Sequence, residues 1–445
     1  MRALGSNASL KGSAMNEFPT VSIEHLAAPH KGAIKIGPFG SQLKKSEMVL
    51  YGVKVYGQEN VILDDFTIGE RRISANKFEM LKSCELNESD VLVTMMGTIG
   101  KCAVFPSDAE RGIMDSHLLR IQPDPALATS EFLALTLTAE TVVLPQIRRL
   151  SHGSIMSGLS SNIVRRLEIP LPSVSEQQRI VEILGTVDQV IRSTEHLIAK
   201  LEQVKQGLLH DLLTRGINES GALRDARRHP EQFTDTALGS LPRDWAIQPC
   251  GDLCREIVVG IVIRPTQWYA PSGVPVLRSA NVREDGIDMS DLMFMTAAHH
   301  RALSKSAVSP GDVVTVRTGY PGTTAVIPDS VAEANCVDII ISRPGPRLLP
   351  QYLSTWVNAP IGKGQVLAKQ GGLAQQHFNI GEMKELLVAV PPLTEQRAIC
   401  ACATTMERRV GDEQGLLRKL TALKSGLIDD LLTGRVRVAI DEDAA

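Results

Sequence analysis

Aromatic side chains are scarce: nine Phe, five Tyr and three Trp make up 4% of the 445 residues. A binder that stacks successive single-stranded bases on aromatic platforms is therefore disfavoured. Charge of one sign is lacking too, since 47 Lys and Arg face 50 Asp and Glu for a formal net charge of −3. No basic tail advertises nucleic-acid binding, and any positive surface must be local. The seven cysteines (Cys84, Cys102, Cys250, Cys254, Cys336, Cys400, Cys402) are scattered and odd in number, which fits a reducing cytoplasm better than a disulfide framework. Cys250 with Cys254, and Cys400 with Cys402, are the closest spacings, and neither has further Cys or His at finger-like distance to complete four zinc ligands. No stretch approaches ~18 consecutive apolar residues, and Met1 to Asn16 lacks the apolar run of a secretory signal. The expectation is a soluble, cytoplasmic protein.

Catalytic constellations are missing as well. There is no Gly-x-Ser-x-Gly elbow, no His-Glu-x-x-His and no complete phosphate loop. Gly97-Thr-Ile-Gly-Lys101 has the tail of a Walker A motif, but Cys102 stands where Ser or Thr is needed, and its counterpart Gly319 to Thr323 has no Lys. Glycines making a tight turn at positive φ account for both. His117, His152, His299, His300 and His377 show no fixed partner spacing. No catalytic, cofactor-binding or metal-ligating residue is assigned.

What the chain does have is a second copy of itself. Pro172-Ser-Val-Ser-Glu-Gln-Gln-Arg-Ile180 matches Pro391-Pro-Leu-Thr-Glu-Gln-Arg-Ala-Ile399. The same displacement, with no gap, pairs Lys205-Gln-Gly-Leu-Leu-His-Asp-Leu-Leu-Thr214 with Lys424-Ser-Gly-Leu-Ile-Asp-Asp-Leu-Leu-Thr433. Upstream, Val53 to Val61 faces Val274 to Val282, and Asp90 to Gly100 faces Asp312 to Gly322, with small drifts that unequal loops require. So long a period signals two domains, not a solenoid. The length agrees, since single cores rarely exceed roughly 250 to 300 residues.

Each copy begins with short β-branched runs bounded by Gly, Pro, Asp and Ser: Val91 to Thr94, Leu118 to Ile121, Val313 to Val316 and Asp338 to Ile341. These read as strands. One helix is expected over Ser130 to Arg149 and another over Pro350 to Lys369. After Pro172 the period becomes helical. Ile183, Val190, Leu197 and Val204, then Leu184, Ile191 and Ile198, then Val187, Leu201 and Leu208 give three apolar positions per heptad, the stripe of a core-facing helix. Ser175 is the candidate N-cap and Gly216 lies past the end. From Ser175 to Leu213 such a helix runs on the order of 58 Å. The second copy, Thr394 to Leu432, is interrupted in its middle by Gly411 and Gly415. Neither helix can leave its stripe in water, and pairing with each other satisfies both. An antiparallel pair would place the two domains at opposite ends of a rod with approximate two-fold symmetry.

The fold class expected is α+β: two similar domains separated by two long antiparallel helices in a coiled coil, as a pseudo-two-fold internal repeat. The boundaries are a disordered tail over 1–17, a domain over 18–171, a central helix over 172–216, a linker over 217–240, a second domain over 241–390, a C-terminal helix over 391–434 and a tail over 435–445.

Ile36-Gly-Pro-Phe-Gly-Ser-Gln-Leu-Lys44, the Asp90 to Lys101 segment, Leu159 to Pro172 and above all the twin Pro-x-x-x-Glu-Gln helix openings resemble the type I restriction-modification specificity subunit, over nearly all of the chain from Phe18 to Val438. The resemblance implies two target-recognition domains, each reading one half of a bipartite, asymmetric site in double-stranded DNA. It further implies that the helices set the spacing and dock two modification (methyltransferase) subunits, joined by restriction/translocase subunits. Adenine methylation or restriction would be directed by a chain without catalytic activity. S-adenosylmethionine, ATP and Mg would belong to the partner subunits. Two similar readers on a rigid spacer are what a split, non-palindromic site requires. A coiled-coil scaffold with two protein-binding heads and no DNA role is the alternative, mildly favoured by the near-neutral charge.

Positive charge is local, in Lys31, Lys35, Lys44 and Lys45, in Arg71, Arg72, Lys77 and Lys82, and in Arg148, Arg149, Arg165 and Arg166. Cations of this kind contact phosphates, whereas side chains with two directional donors or acceptors read base edges. The DNA-binding candidates are Lys35, Gln42, Lys44, Lys45, Gln58, Asn60, Lys101, His117 and His152 in the first copy, and Arg264, Arg278, Asn281, Arg317, Tyr320, Gln375 and His377 in the second. Glu176, Gln177, Glu395 and Gln396 are assigned to helix opening or partner docking. For the Glu pair, a favourable charge at the helix N-terminus explains them equally well.

Overall fold

The computed structural model describes residues 18–150, 159–369 and 377–440. Contacts divide the chain into two compact units, Met1–Ser193 with Leu417–Ala445, and Thr194–Leu416.

The centre of the first unit is a four-stranded antiparallel sheet in the order Ile34–Ile36, Leu118–Ile121, Val91–Thr94, Cys102–Val104. Every residue of the two middle strands is buried, because both faces of the sheet are covered. Successive side chains of a strand point to opposite faces. Val91 and Val93 accordingly pack with Leu133, Leu137 and Val143 of the helices on one side, while Leu92 packs with Tyr56, Phe66 and Phe105 on the other. A smaller sheet holds Arg72–Ile73, Met48–Tyr56 and Gly112–Met114, the last two parallel.

The second unit has a four-stranded sheet ordered Cys254–Val259, Ile339–Pro344, Val313–Val316, Thr324–Val326. Beside it Val274–Leu277 and Ala334–Cys336 pair in parallel. Strand order and pairing sense repeat those of the first unit. In both, a two-stranded ladder ties the start of the globular region to its end, Thr20–Ser22 with Glu168–Pro170 and Ala246–Pro249 with Leu387–Val390.

Each expected single helix after the sheets is two. Ser130–Thr138 and Glu140–Leu150 break at Ala139, and Pro350–Asn358 and Pro360–Lys369 break at Ala359. Pro360 enforces the second break, since the residue before proline is pushed out of the helical region. The first has no proline. There the buried Ala139 turns extended, with φ −69° and ψ 104°. The 217–240 stretch, expected as a linker, contains one arm of a hairpin, Phe233–Thr236 paired with Gly239–Pro242.

The long helices are Val174–Thr214 and Leu393–Thr433. The second is continuous through Gly411 and Gly415, correcting the expected interruption; a cost of about 1 kcal/mol per glycine is small beside the packing of a long helix. In the first unit Ile180 and Leu184 pack against Leu431 and Leu432, and Asp188 pairs with Lys424 at 2.5 Å. In the second unit Leu212 and Leu213 share a core with Ile399. Early residues of one helix thus meet late residues of the other. Burying an aliphatic side chain of this kind stabilises by about 1.5–3 kcal/mol. The Val190, Leu197 and Val204 column, assigned to the core-facing stripe, is instead exposed. Ile183, at the head of that column, does pack against the cluster that holds Leu431 and Leu432.

Candidate nucleic-acid interface

One buried glutamine fastens each long helix to its own globular region. Gln177 accepts from Thr129 N at 2.9 Å and donates to Leu127 O and Pro172 O at 2.9 and 3.0 Å. Gln396 accepts from Leu349 N and donates to Arg347 O and Pro391 O, all at 2.9 Å. Both are 0% exposed.

Glu176 completes a capping box with Ser173, whose N donates to its Oε2 at 3.1 Å and whose Oγ accepts from Glu176 N at 3.4 Å. Ser173, not Ser175, is the capping residue, because it lies three residues before the glutamate. Burial raises the Glu176 carboxyl, but hydrogen bonds from Arg437 and Ser173 more than offset this and hold it below the usual range. Glu395 has Pro392 in the capping position and turns elsewhere. It accepts from Ile217 N at 2.7 Å and Trp245 Nε1 at 3.2 Å, and pairs with Arg224. All four helix-opening residues are buried with their polar atoms engaged inside their own unit. They hold helices in place and are not available to a docking partner.

The sheet gathers most of the remaining candidates. In the first unit Ile36 lies opposite Leu119, Thr94 opposite Leu118 and Val93 opposite Cys102. The loops after residue 36, between 94 and 102, and before 118 therefore leave from one end. Asp115 N donates to Tyr56 O at 2.9 Å, which brings the segment after residue 56 there too. Gln42, Lys44, Lys45, Lys101 and His117 stand on these loops, and Gln58 opens the short helix Gln58–Leu63 that follows residue 56. Lys44, Lys45 and Lys101 are exposed and, among the described residues, make no ion pair. His117 is half-exposed beside Asp115, on a cavity of about 560 Å³ that Lys45, Met48 and Arg71 also line.

In the second unit Val259 lies opposite Ile340, Val316 opposite Ile339 and Thr315 opposite Thr324. Exposed Arg264 and Tyr320 occupy the equivalent loops. Exposed His377 precedes Phe378, whose N donates to Arg317 O at 3.0 Å.

Other candidates are placed differently. Asn60 and Asn281 are buried turn locks, not base readers. Asn60 accepts from Gly57 N and donates to Asp65 O and Ile68 O. Asn281 accepts from Arg278 N and donates to Asp288 O and Asp291 O. Arg317 is held by Asp338 at 2.6 Å and by Phe378 O, and Arg278 pairs with Asp291 at 2.9 Å. Lys35 is half-buried within its strand, opposite Arg120. His152 and Gln375 lie outside the described residues. Much of the clustered charge is paired: Arg71 with Asp115 and Glu59, Arg72 with Glu110, Lys77 with Glu47, Lys82 with Glu79 and Arg165 with Glu24.

Sequence reasoning missed the exposed apolar side chains Phe39, Met96 and Ile263 in these same loops. Their signal is an apolar residue next to a turn glycine or beyond a strand end, outside any period.

Residues 40–203 match the family model for the type I restriction modification DNA specificity domain. The chain is similar to the type I restriction enzyme MjaVIII specificity subunit of Methanocaldococcus jannaschii, 20% identical over 418 residues that cover 91% of this chain and 92% of that protein. It is also similar to the EcoKI specificity subunit of Escherichia coli K12, 22% identical over 301 residues, 64% of this chain and 61% of that one. Among solved structures, a chain from a type I R-M system studied for complex assembly and conformational transition aligns with a TM-score of 0.56 at 17% identity, covering 95% of this chain and 99% of its own. The type I restriction-modification S subunit from M. genitalium gives 0.52 at 14% identity, covering 95% and 98%. At these identities the structural likeness establishes the fold.

Proposed function

Since the chain belongs to the type I restriction-modification specificity subunits, we propose that its two copies each read one half of a bipartite, asymmetric site in double-stranded DNA. The observation that carries this reading is the repeated strand order, which in both units sends loops with exposed cationic and hydrogen-bonding side chains off one end of the central sheet. Lys44, Lys45 and Lys101, and Arg264 in the second copy, contact phosphates. Gln42, Gln58, His117, Tyr320 and His377 face base edges. The chain is the non-catalytic member of its complex. Its long helices form an antiparallel coiled coil that fixes the unread gap, and exposed apolar positions on them such as Leu197, Val204 and Leu416 dock modification subunits. Restriction/translocase subunits join that assembly in the cytoplasm. S-adenosylmethionine, ATP and Mg are bound by those partners. Among the described residues no helix is long and apolar enough to cross a membrane.

The test is long-read methylation mapping of DNA from cells expressing this chain with its modification subunit, against cells lacking the chain. A new motif of two short blocks around a fixed gap is expected, and exchanging residues 18–160 for those of another family member should alter one block alone. With a stable complex verified, absence of any new motif refutes the reading.

A further inference from the structure

One element of the loop cluster is the same in both units except at its tip. Thr94 is followed by the hairpin Gly97-Thr98-Ile99-Gly100, and Val316 by Gly319-Tyr320-Pro321-Gly322. The scaffolds share two main-chain bonds and differ at the strand residue, where Thr94 Oγ1 accepts from Lys101 N at 3.0 Å and Thr323 N instead donates to Tyr320 O at 3.2 Å. Gly100 N donates to Thr94 O at 2.9 Å and Gly322 N to Val316 O at 3.0 Å; Thr94 N donates to Lys101 O at 2.9 Å and Val316 N to Thr323 O at 2.8 Å. All four glycines have positive φ: 66° and 79° in the first hairpin, 87° and 89° in the second. That conformation is costly for any residue with a Cβ, so the turn depends on the glycines, and the residue after the first of them is free to vary.

The two residues at that place both carry a hydroxyl but differ in its reach and in what surrounds it. Thr98 is an exposed small hydroxyl with a methyl group. Tyr320 is a phenol 84% exposed, in a chain poor in aromatics. Its side chain buries too little to be kept for stability. What lies beneath differs as well. Gln58 approaches Gly97, its amide about 4 Å from where a Cβ there would sit, and its Oε1 is buried with no hydrogen-bond partner. The residue in the corresponding place of the second copy is Ser279. A desolvated acceptor without a donor is unfavourable unless an outside donor arrives, and the exocyclic amines of adenine and cytosine are such donors.

We propose that the two Gly-x-x-Gly hairpins are equivalent base-contacting elements, and that Thr98 in the first copy and Tyr320 in the second set the base preference of one position in their respective half-sites. This rests on the split-site reading above. The scaffold holds the tip in a constant place while the tip residue changes what is recognised.

The test makes Thr98→Tyr and Tyr320→Thr separately in the full chain, each expressed with the modification subunit. Methylation is mapped by long reads, and purified complexes are competed with duplexes in which each base pair of the wild-type motif is replaced in turn. Each variant should shift discrimination at one or two adjacent positions of one half by roughly 5- to 150-fold, the range for a single mismatched pair, leaving the other half and the gap unchanged. Unaltered discrimination at every position in both variants overturns the proposal, as does loss at both halves from one substitution. A wild-type complex that yields no split motif sinks the function itself and is seen before either variant is made.

Discussion

Replacing Gln177 by alanine removes three hydrogen bonds from a fully buried side chain. Thr129 N would be left without an acceptor at the N-cap of the helix that packs on the central sheet, and Leu127 O and Pro172 O would lose a donor. An orphaned buried donor costs about 1–3 kcal/mol; adding under-satisfied carbonyls and a small void brings the local cost to about 2–4 kcal/mol. With two compact units, global unfolding is not a two-state measurement. The assay is amide hydrogen exchange on the full chain, followed in peptides covering residues 127–137 and 173–184. Exchange there should accelerate at least about 30-fold, and residues 347–357 should be unaffected. Gln396→Ala should give the mirror-image pattern. Gln177→Glu keeps the acceptor for Thr129 N but sets a carboxylate against two carbonyl oxygens, so it should be worse than alanine at neutral pH and recover on acidification, when the acid can donate. Acceleration below about 3-fold in Gln177→Ala would refute the argument that this side chain fastens the helix.

Glu176 is held below the usual carboxylate range in the folded chain. Its contribution is therefore present above its unfolded value and lost as pH falls through the folded one. The difference in amide protection factors over residues 173–184 between wild type and Glu176→Gln should be widest near neutrality and shrink toward pH 3. Glu395→Ala leaves the Arg224 guanidinium, Ile217 N and Trp245 Nε1 without their shared acceptor, and breaking a buried pair by one partner costs about 3–5 kcal/mol; amide exchange over residues 215–224 and 393–400 should show a large loss of protection, which Glu395→Gln only partly recovers. Lys45→Gln and Lys101→Gln should weaken binding to all duplexes alike and lower the log–log salt slope by about one per lost phosphate contact, read by fluorescence anisotropy at several salt concentrations. A slope unchanged in both variants would remove these lysines from the interface.

The parts of this chain legible in sequence are those carried by period and repetition. The helical period after Pro172 pointed to a long helix, the match of the second copy pointed to another, and the structure has Val174–Thr214 and Leu393–Thr433, with the twin Glu-Gln openings at equivalent points of the two copies. What sequence could not show is which of several like residues a distant partner engages. Asn60 and Gln58 are polar neighbours in one short helix, Gln58–Leu63, yet Asn60 is consumed by carbonyls five and eight residues on while Gln58 keeps an unmet acceptor. Arg317 is neutralised by Asp338, which approaches only because their strands are adjacent. The Val190 column was misassigned for a related reason: periodicity reports how apolar a helix face is, and the width of the seam that covers it is set by the partner.

Every partner of Gln177 and Gln396 in the globular regions is a main-chain atom. These two glutamines consequently ask nothing of the globular regions' side chains, unlike Glu395, which depends on Trp245 and Arg224. Any polypeptide that offers one amide and one carbonyl at the right turn meets the requirement. A bond made only to main-chain atoms survives substitution of the side chains around it, so the globular regions can drift in sequence while these two glutamine contacts are inherited unchanged.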